Sequence, residues 1–284
     1  MLATSRNPIE LAARLGYGAR GLVYCLVGGL ALLGAVGSGG QTGGSRSALA
    51  TLLDQPFGRV LLGVTALGLA GFAAWRILDA VTDADHHGTS WKGLGTRAAH
   101  LISGGLYAAL AISAAGLAIG RSRGGGNEEQ GAQDWTAWLL AQPFGQWLVG
   151  LIGAAVAAAG IGFLIKAWRG QVTAHLACDA ATERWAVPLG RLGYAARGVV
   201  FVIIGAFLVL AAVRSSSSQV RGLGGALEAL QAQPFGGILL GLVAAGLLAF
   251  GIFGFVQALY RRIDAPDLDD AKRAGSTTLQ ALKP

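Results

Sequence analysis

Charge is what this sequence has least of. Asp, Glu, Lys and Arg make up 13% of its 284 residues, against about 25% in a typical soluble domain. Together with 53% hydrophobic residues and a mean hydropathy of +0.54, this excludes an ordinary soluble globule and indicates an integral membrane protein. Cysteine is nearly absent. Cys25 lies in an apolar run and Cys178 in a polar linker, so they read as a small packing residue and a loop thiol, not as a disulfide framework. No nucleotide-binding loop, HExxH, haem-attachment motif or nucleophile elbow occurs, so enzyme activity is not expected. No cofactor is expected either: a bundle haem needs two inward histidines, and only His100 lies near an apolar run. The cluster Asp83, Asp85, His86 and His87 fits no standard metal spacing and has no second half, so it reads as a polar linker turn. Acidic residues are missing from the depth of every apolar run, which weighs against proton-coupled transport.

Basic residues are in excess, giving a formal net charge of +7. They do not gather into one patch, which argues against nucleic acid as a partner. Glycine is abundant at 46 residues, as expected where helices in a membrane approach closely. No signal-peptide cleavage site is evident, and the first apolar run belongs to the repeat described next, so it is taken as mature structure.

The chain repeats. Arg14 to Tyr24, RLGYGARGLVY, returns at Arg191 to Phe201 as RLGYAARGVVF, with a degenerate copy at Arg97 to Tyr107, RAAHLISGGLY. Each copy opens an apolar run. A QPFG motif and a second apolar run follow, the motif glutamines being Gln55, Gln142 and Gln233, spaced by 87 and 91 residues. The repeats span about 8–83, 90–170 and 184–263, followed by a tail, Asp264 to Pro284. Charge-free stretches place six transmembrane helices at about 15–36, 58–79, 97–119, 144–167, 192–213 and 235–260, each able to supply the roughly 20 residues a bilayer requires. The fold class is therefore all-α, a polytopic membrane protein of three two-helix repeats. An even number of spans per repeat makes them parallel, and packing about a pseudo-threefold axis is the natural arrangement.

A Gly/Ser-rich loop joins the two helices of each repeat and leads into a short amphipathic piece before QPFG, expected as one or two helical turns on the membrane surface. QPFG itself reads as a corner, with its proline starting the next helix. The glycines of the second helices (Gly63, Gly68, Gly71; Gly150, Gly153, Gly160; Gly241, Gly246, Gly251) read as close-packing surfaces. Asp79, Lys166 and Gln257 occupy equivalent places 24 residues after each motif glutamine. They read as a solvated helix end, with pairing between the opposite charges as the alternative and Arg76 as a local partner for Asp79.

The opening stretch carries the candidate site. On a helix, Tyr17, Arg20 and Tyr24 share one face. Their equivalents are His100, Ser103 and Tyr107, then Tyr194, Arg197 and Phe201. Arg20 and Arg197 fall about one turn inside the membrane boundary, where a guanidinium must snorkel, pair with carbonyls or aromatic faces, or line a wet cavity. Two readings follow. In one, the arginines reach the headgroups and the tyrosines form an aromatic belt. In the other, the three faces converge on a basic-aromatic vestibule for an anion, a lipid phosphate or a proton.

The RLGYxARG and QPFG pattern resembles a family of bacterial integral membrane proteins built from three copies of a domain of unknown function, each with two transmembrane helices. The resemblance covers about residues 8–263. Its motifs are specific in the first and third repeats, while the second has His100 and Ser103 in place of Tyr and Arg. It implies the fold and a place in the bacterial plasma membrane, and it carries no activity or catalytic residue. Two functional expectations therefore stand: a small channel or transporter-like protein passing an ion or small solute, and a non-transporting scaffold or lipid-binding protein. An accessory subunit of an envelope complex is a variant of the second. Membrane lipids are the expected partner, with a homo-oligomer or an envelope partner left open.

Six of the 22 Lys and Arg residues lie in the loops within repeats, and the other 16 lie on the side of the chain ends. The positive-inside rule then puts both termini in the cytoplasm. Reporter fusions test this: a fluorescent protein that matures only in the cytoplasm should light up at either terminus, and alkaline phosphatase should be active only when inserted in the Gly/Ser-rich loops.

Overall fold

The computed structural model describes residues 8–37, 40, 42–83, 88, 90–121, 128–173 and 176–262. Its described elements are helical, apart from one isolated bridge between Leu176 and Arg261. Six helices are long and apolar enough to cross a membrane: α1 (Pro8–Ala35), α3 (Gly58–Thr82), α4 (Trp91–Ala118), α6 (Gly145–Arg169), α7 (Ala180–Val213) and α9 (Gly236–Tyr260). Three shorter ones precede the QPFG corners: α2 (Ser45–Ala50), α5 (Glu128–Leu140) and α8 (Leu223–Gln231). The all-α, six-span expectation holds. The tail and the histidines of the 83–87 cluster fall outside the described residues.

The first helix of each repeat starts earlier than charge-free counting suggests. α1 begins at Pro8 and pairs Glu10 with Arg14 at 2.8 Å, one turn apart. α4 begins after Ser90, whose hydroxyl accepts from the Gly93 amide. α7 begins after Asp179, about three turns before the expected start at 192. The side chain and amide of Thr182 hold the Asp179 carboxyl below the usual carboxylate range. Polar first turns, capped at Ser90 and Asp179, extend each helix beyond its apolar part, a signal that a hydropathy count discards.

The corners are three copies of one device. The motif glutamine's carbonyl accepts from the amide of the motif glycine: Gln55 to Gly58 and Gln142 to Gly145 at 2.9 Å, and Gln233 to Gly236 at 2.8 Å. Between them the proline takes the second position of the turn. Phe57, Phe144 and Phe235 take the third in the left-handed region, with φ of 59°, 61° and 61°, the pattern of a type II turn. The proline therefore does not start the helix. The glycine does, because a Cβ there would lie 1.9–2.0 Å from the carbonyl oxygen of Leu52, Leu139 or Gln231. Each motif phenylalanine is about four-fifths exposed, an apolar ring turned outward beside the start of an apolar helix.

The pre-corner pieces are helical, but α5 (13 residues) and α8 (9 residues) are longer than the expected one or two turns. α2 and α8 bury Leu49 and Leu227 against the bundle, whereas α5 leaves Trp135 and Trp138 exposed.

Packing runs in an unbroken sequence, α4 on α3, α3 on α1, α1 on α9, α9 on α7 and α7 on α6. Three of these seams join different repeats: α3 with α4, α6 with α7, and α9 with α1. Glycines bring the backbones together in two of them: a Cβ on Gly160 would lie 2.8 Å from the Gly198 oxygen, and one on Gly251 2.7 Å from the Gly21 oxygen. Gly63 is not a packing glycine, since nothing lies within 4 Å of its Cβ position.

Within repeats, α1 packs on α3 and α7 on α9, but α4 and α6 have no comparable contact. The residues show why. Gly16 receives Phe72, and Gly193 receives Phe250, each with a Cβ position 2.6 Å from the ring-bearing residue. Gly68 faces Ala19, and Gly246 faces Ala196. In the second repeat the corresponding positions hold Ala99 and Ala159, then Ala155 and Ile102. The knob has become an alanine, its socket is filled, and a branched side chain stands where a methyl allowed close approach.

Substituting alanine for Gly58, Gly145 or Gly236 should each cost about 1–3 kcal/mol, the usual range for forcing atoms into a filled space. Gly63→Ala should leave stability unchanged or slightly raised. Thermal unfolding of the detergent-purified variants measures both.

Candidate functional site

The arginine that opens each repeat motif binds the end of the second helix of the repeat beside it. Arg14 donates to the Ala258 and Leu259 carbonyls at 3.0 and 2.7 Å. Arg97 donates to those of Ala80 and Val81 at 2.7 and 3.0 Å. Arg191 reaches those of Ala167 and Trp168 at 2.9 and 3.5 Å. Each places a cation on carbonyls that a helix terminus leaves without intrahelical donors, at the negative end of its dipole.

One to two turns further along each first helix, the seam carries a second polar contact, made to the residue 24 positions after the motif glutamine. Asp79 is fully buried and meets His100 Nδ1 at 2.6 Å, with Arg76 at 3.8 Å. Arg76 also approaches His100 Nε2 at 2.9 Å. Lys166 donates to the Tyr194 hydroxyl at 3.4 Å and lies 4.5 Å from its ring centre. Gln257 accepts from Arg20. Asp79 and Lys166 therefore do not pair with each other, and Asp79 is not a solvated helix end. Each contacts the first helix of the following repeat. Its local partner, Arg76, is the one the spacing suggested.

Between these seams the helices enclose a lattice of guanidinium groups and ring faces. Arg20, 3% exposed, lies 5.0–5.1 Å from the ring centres of Tyr17, Phe72 and Phe250. Arg197 lies 4.9–5.6 Å from those of Tyr24, Phe163, Phe201 and Phe250. Phe250 is shared by both arginines, and Phe72 by Arg20 and Arg76. Arg261 covers the Tyr17 ring from the membrane boundary at 5.1 Å. Edge-on ring pairs link the lattice: Tyr17 and Tyr107 on Phe72, and Tyr24 and Tyr194 on Phe250, at 4.7–5.4 Å. A cation over a desolvated ring face gains about 2 kcal/mol, which offsets part of the cost of holding it in the membrane.

Seven of the nine candidate residues thus come together: Tyr17, Arg20, Tyr24, Tyr107, Tyr194, Arg197 and Phe201. His100 belongs to the Asp79 seam, and half-buried Ser103 takes no part in the lattice. The sequence reading missed the rings that join the arginines: Phe72, Phe163 and Phe250. Two of these carried a signal, since Phe72 and Phe250 both stand 17 residues after a motif glutamine.

Compensation of charge is incomplete. Among the described residues, no carboxylate pairs with Arg20 or Arg197. The Nε atoms of both, and the Tyr17 hydroxyl, are buried without a hydrogen-bond partner. A separate cavity of about 370 Å³ opens at the opposite end of the bundle, lined by Gly44, Ser47, Glu129, Gly225 and Glu228 among others. It shares no residue with the lattice.

No solved structure matches this chain. A similar protein of Bacillus subtilis (strain 168), uncharacterized protein YxxB, is 36% identical over 262 residues, covering 90% of this chain and 92% of that one. The Domain of Unknown Function DUF1206 matches three times, at residues 15–83, 98–170 and 192–261, one match for each repeat. The chain is thus a multi-pass membrane protein belonging to the DUF1206 family.

Proposed function

We propose that this protein sits in the bacterial inner membrane with both termini in the cytoplasm and binds an anionic group between its repeats, holding it there without passing it across. The observation that carries this reading is the pair Arg20 and Arg197, two guanidinium groups inside a bundle of apolar helices with ring faces around them and, among the described residues, no carboxylate partner. Each cation in such a place costs about 2.5–3.5 kcal/mol or more. Ring quadrupoles lower that cost without removing the charge, so an anion between the two arginines would complete the site.

Holding fits the packing better than passage. The space between repeats 1 and 3 is filled by Tyr17, Phe72 and Phe250, each at most 1% exposed. A pseudo-threefold arrangement would place these rings near the axis, where a channel would need an opening. The channel reading keeps one support, the parallel repeats themselves. No catalytic role is assigned.

Sulfate and phosphate, compared with chloride at constant ionic strength, should raise the unfolding midpoint by about 2–4 °C at saturating concentrations. The increment should vanish in Arg197→Gln and Arg20→Gln. Flux assays in liposomes, with protons, monovalent ions and small neutral solutes, should match empty vesicles. Flux that depends on either arginine would replace holding by passage.

A further inference from the structure

We propose, resting on the anion-binding reading above, that the anion is the phosphate of an anionic phospholipid, and that the lipid enters sideways through the open seam between α4 and α6. Three observations lead there. The first is the gap: α4 and α6 belong to one repeat and yet have no packed interface. Ala99, Ala159 and Ile102 stand where the other two repeats interlock.

The second is what lies behind the gap. Arg197 reaches the Phe163 ring of α6 at 4.9 Å, and Tyr107 of α4 packs against the buried cluster that includes Ala196 and Val200, neighbours of Arg197 on α7. The helices that fail to meet are the ones that flank this guanidinium. Arg197 is also the less buried of the two arginines, half-buried where Arg20 is 3% exposed. Lys166 of α6, at the Tyr194 ring, adds a third cation on the same side.

The third is depth. From Arg197 to the far end of α7 at Val213 the helix rises about 24 Å, against a hydrocarbon core of about 30 Å. The guanidinium therefore sits about one turn below the boundary on the side where the chain begins, within reach of a phosphate drawn slightly inward. Free phosphate would have to leave water to reach it. A phospholipid brings its phosphate to this depth while its acyl chains stay among the apolar side chains that α4 and α6 turn outward, among them Leu106, Ile112, Ile161 and Ile165. Basic pockets between transmembrane helices near a membrane surface are known sites for anionic headgroups.

Native mass spectrometry and photolabelling of the full chain test this. The purified protein is titrated with phosphatidylglycerol or phosphatidylcholine. Phosphatidylglycerol should be retained with at least about tenfold preference, and Arg197→Gln should remove most of that preference, as expected for loss of one charge-assisted contact. Phosphatidylglycerol carrying a photoreactive acyl chain should label α4 and α6 of the wild-type protein above the other four long helices, a readout that needs no variant. Equal retention of the two lipids, or labelling spread evenly over all six helices, would overturn the proposal. If the lipid tests failed in that way while inorganic phosphate stabilised the protein in an Arg197-dependent way, the phospholipid would be the wrong source and the anion site would stand. If neither probe bound, both readings would fall.

Discussion

The contact on which this architecture depends is an arginine holding the carbonyl end of a neighbouring helix. The last carbonyls of a helix have no intrahelical donor, and leaving them open at the edge of a membrane costs free energy. Arg14, Arg97 and Arg191 close three such ends with paired donations. Each arginine belongs to the repeat after the helix it closes, and Arg14 closes the last helix of the third repeat. The contact that satisfies a helix end therefore also fixes the order of the repeats and joins the last to the first. It accounts for the survival of this arginine in the degenerate second motif, where Tyr17 and Arg20 have become His100 and Ser103.

Glycine and aromatic residues then divide the packing between them. Glycines let the backbones meet in the seams of α6 with α7 and of α9 with α1. Ring knobs from α3 and α9 insert against glycines of α1 and α7. Both devices bring guanidinium groups close to ring faces, because the knobs Phe72 and Phe250 are also the rings that flank Arg20. The packing of the first and third repeats and the placement of the buried cations are thus one arrangement. Changing a knob would loosen a helix pair and uncover a charge together.

Much of this was legible in the sequence. Charge-free intervals located six spans, and the repeated motifs located the residues that meet. The helix starts were not legible from hydropathy, since the first turns at Glu10, Ser90 and Asp179 are polar. QPFG was readable as a corner but not in detail: three phenylalanines in the left-handed region are unfavourable taken singly, and only the backbone contact at the following glycine explains the fixed order. The partner of Asp79 was hidden for a different reason. Equivalent positions suggested a solvated helix end, or pairing of Asp79 with Lys166, whereas each of Asp79, Lys166 and Gln257 meets a different first helix across its seam.

The second repeat shows how far such a unit can depart and what the departure permits. It keeps the outer contacts, Arg97 on α3 and the turn at Gln142 to Gly145, and so it stays in place. Its own helix pair loses knob, socket and small-residue contact together. Loss of the arginine at Ser103 follows the same logic, because a guanidinium there would lack the ring that its counterparts share. His100 replaces the tyrosine and meets a carboxylate: since arginine can only donate, the approach of Arg76 to Nε2 leaves Nδ1 to carry the proton toward Asp79. The repeat thus trades a cation on ring faces for a closed polar contact in its seam with α3. Among the described residues, the lattice arginines of repeats 1 and 3, Arg20 and Arg197, have no carboxylate partner, and Arg197 lies beside the within-repeat pair, α4 and α6, that does not close.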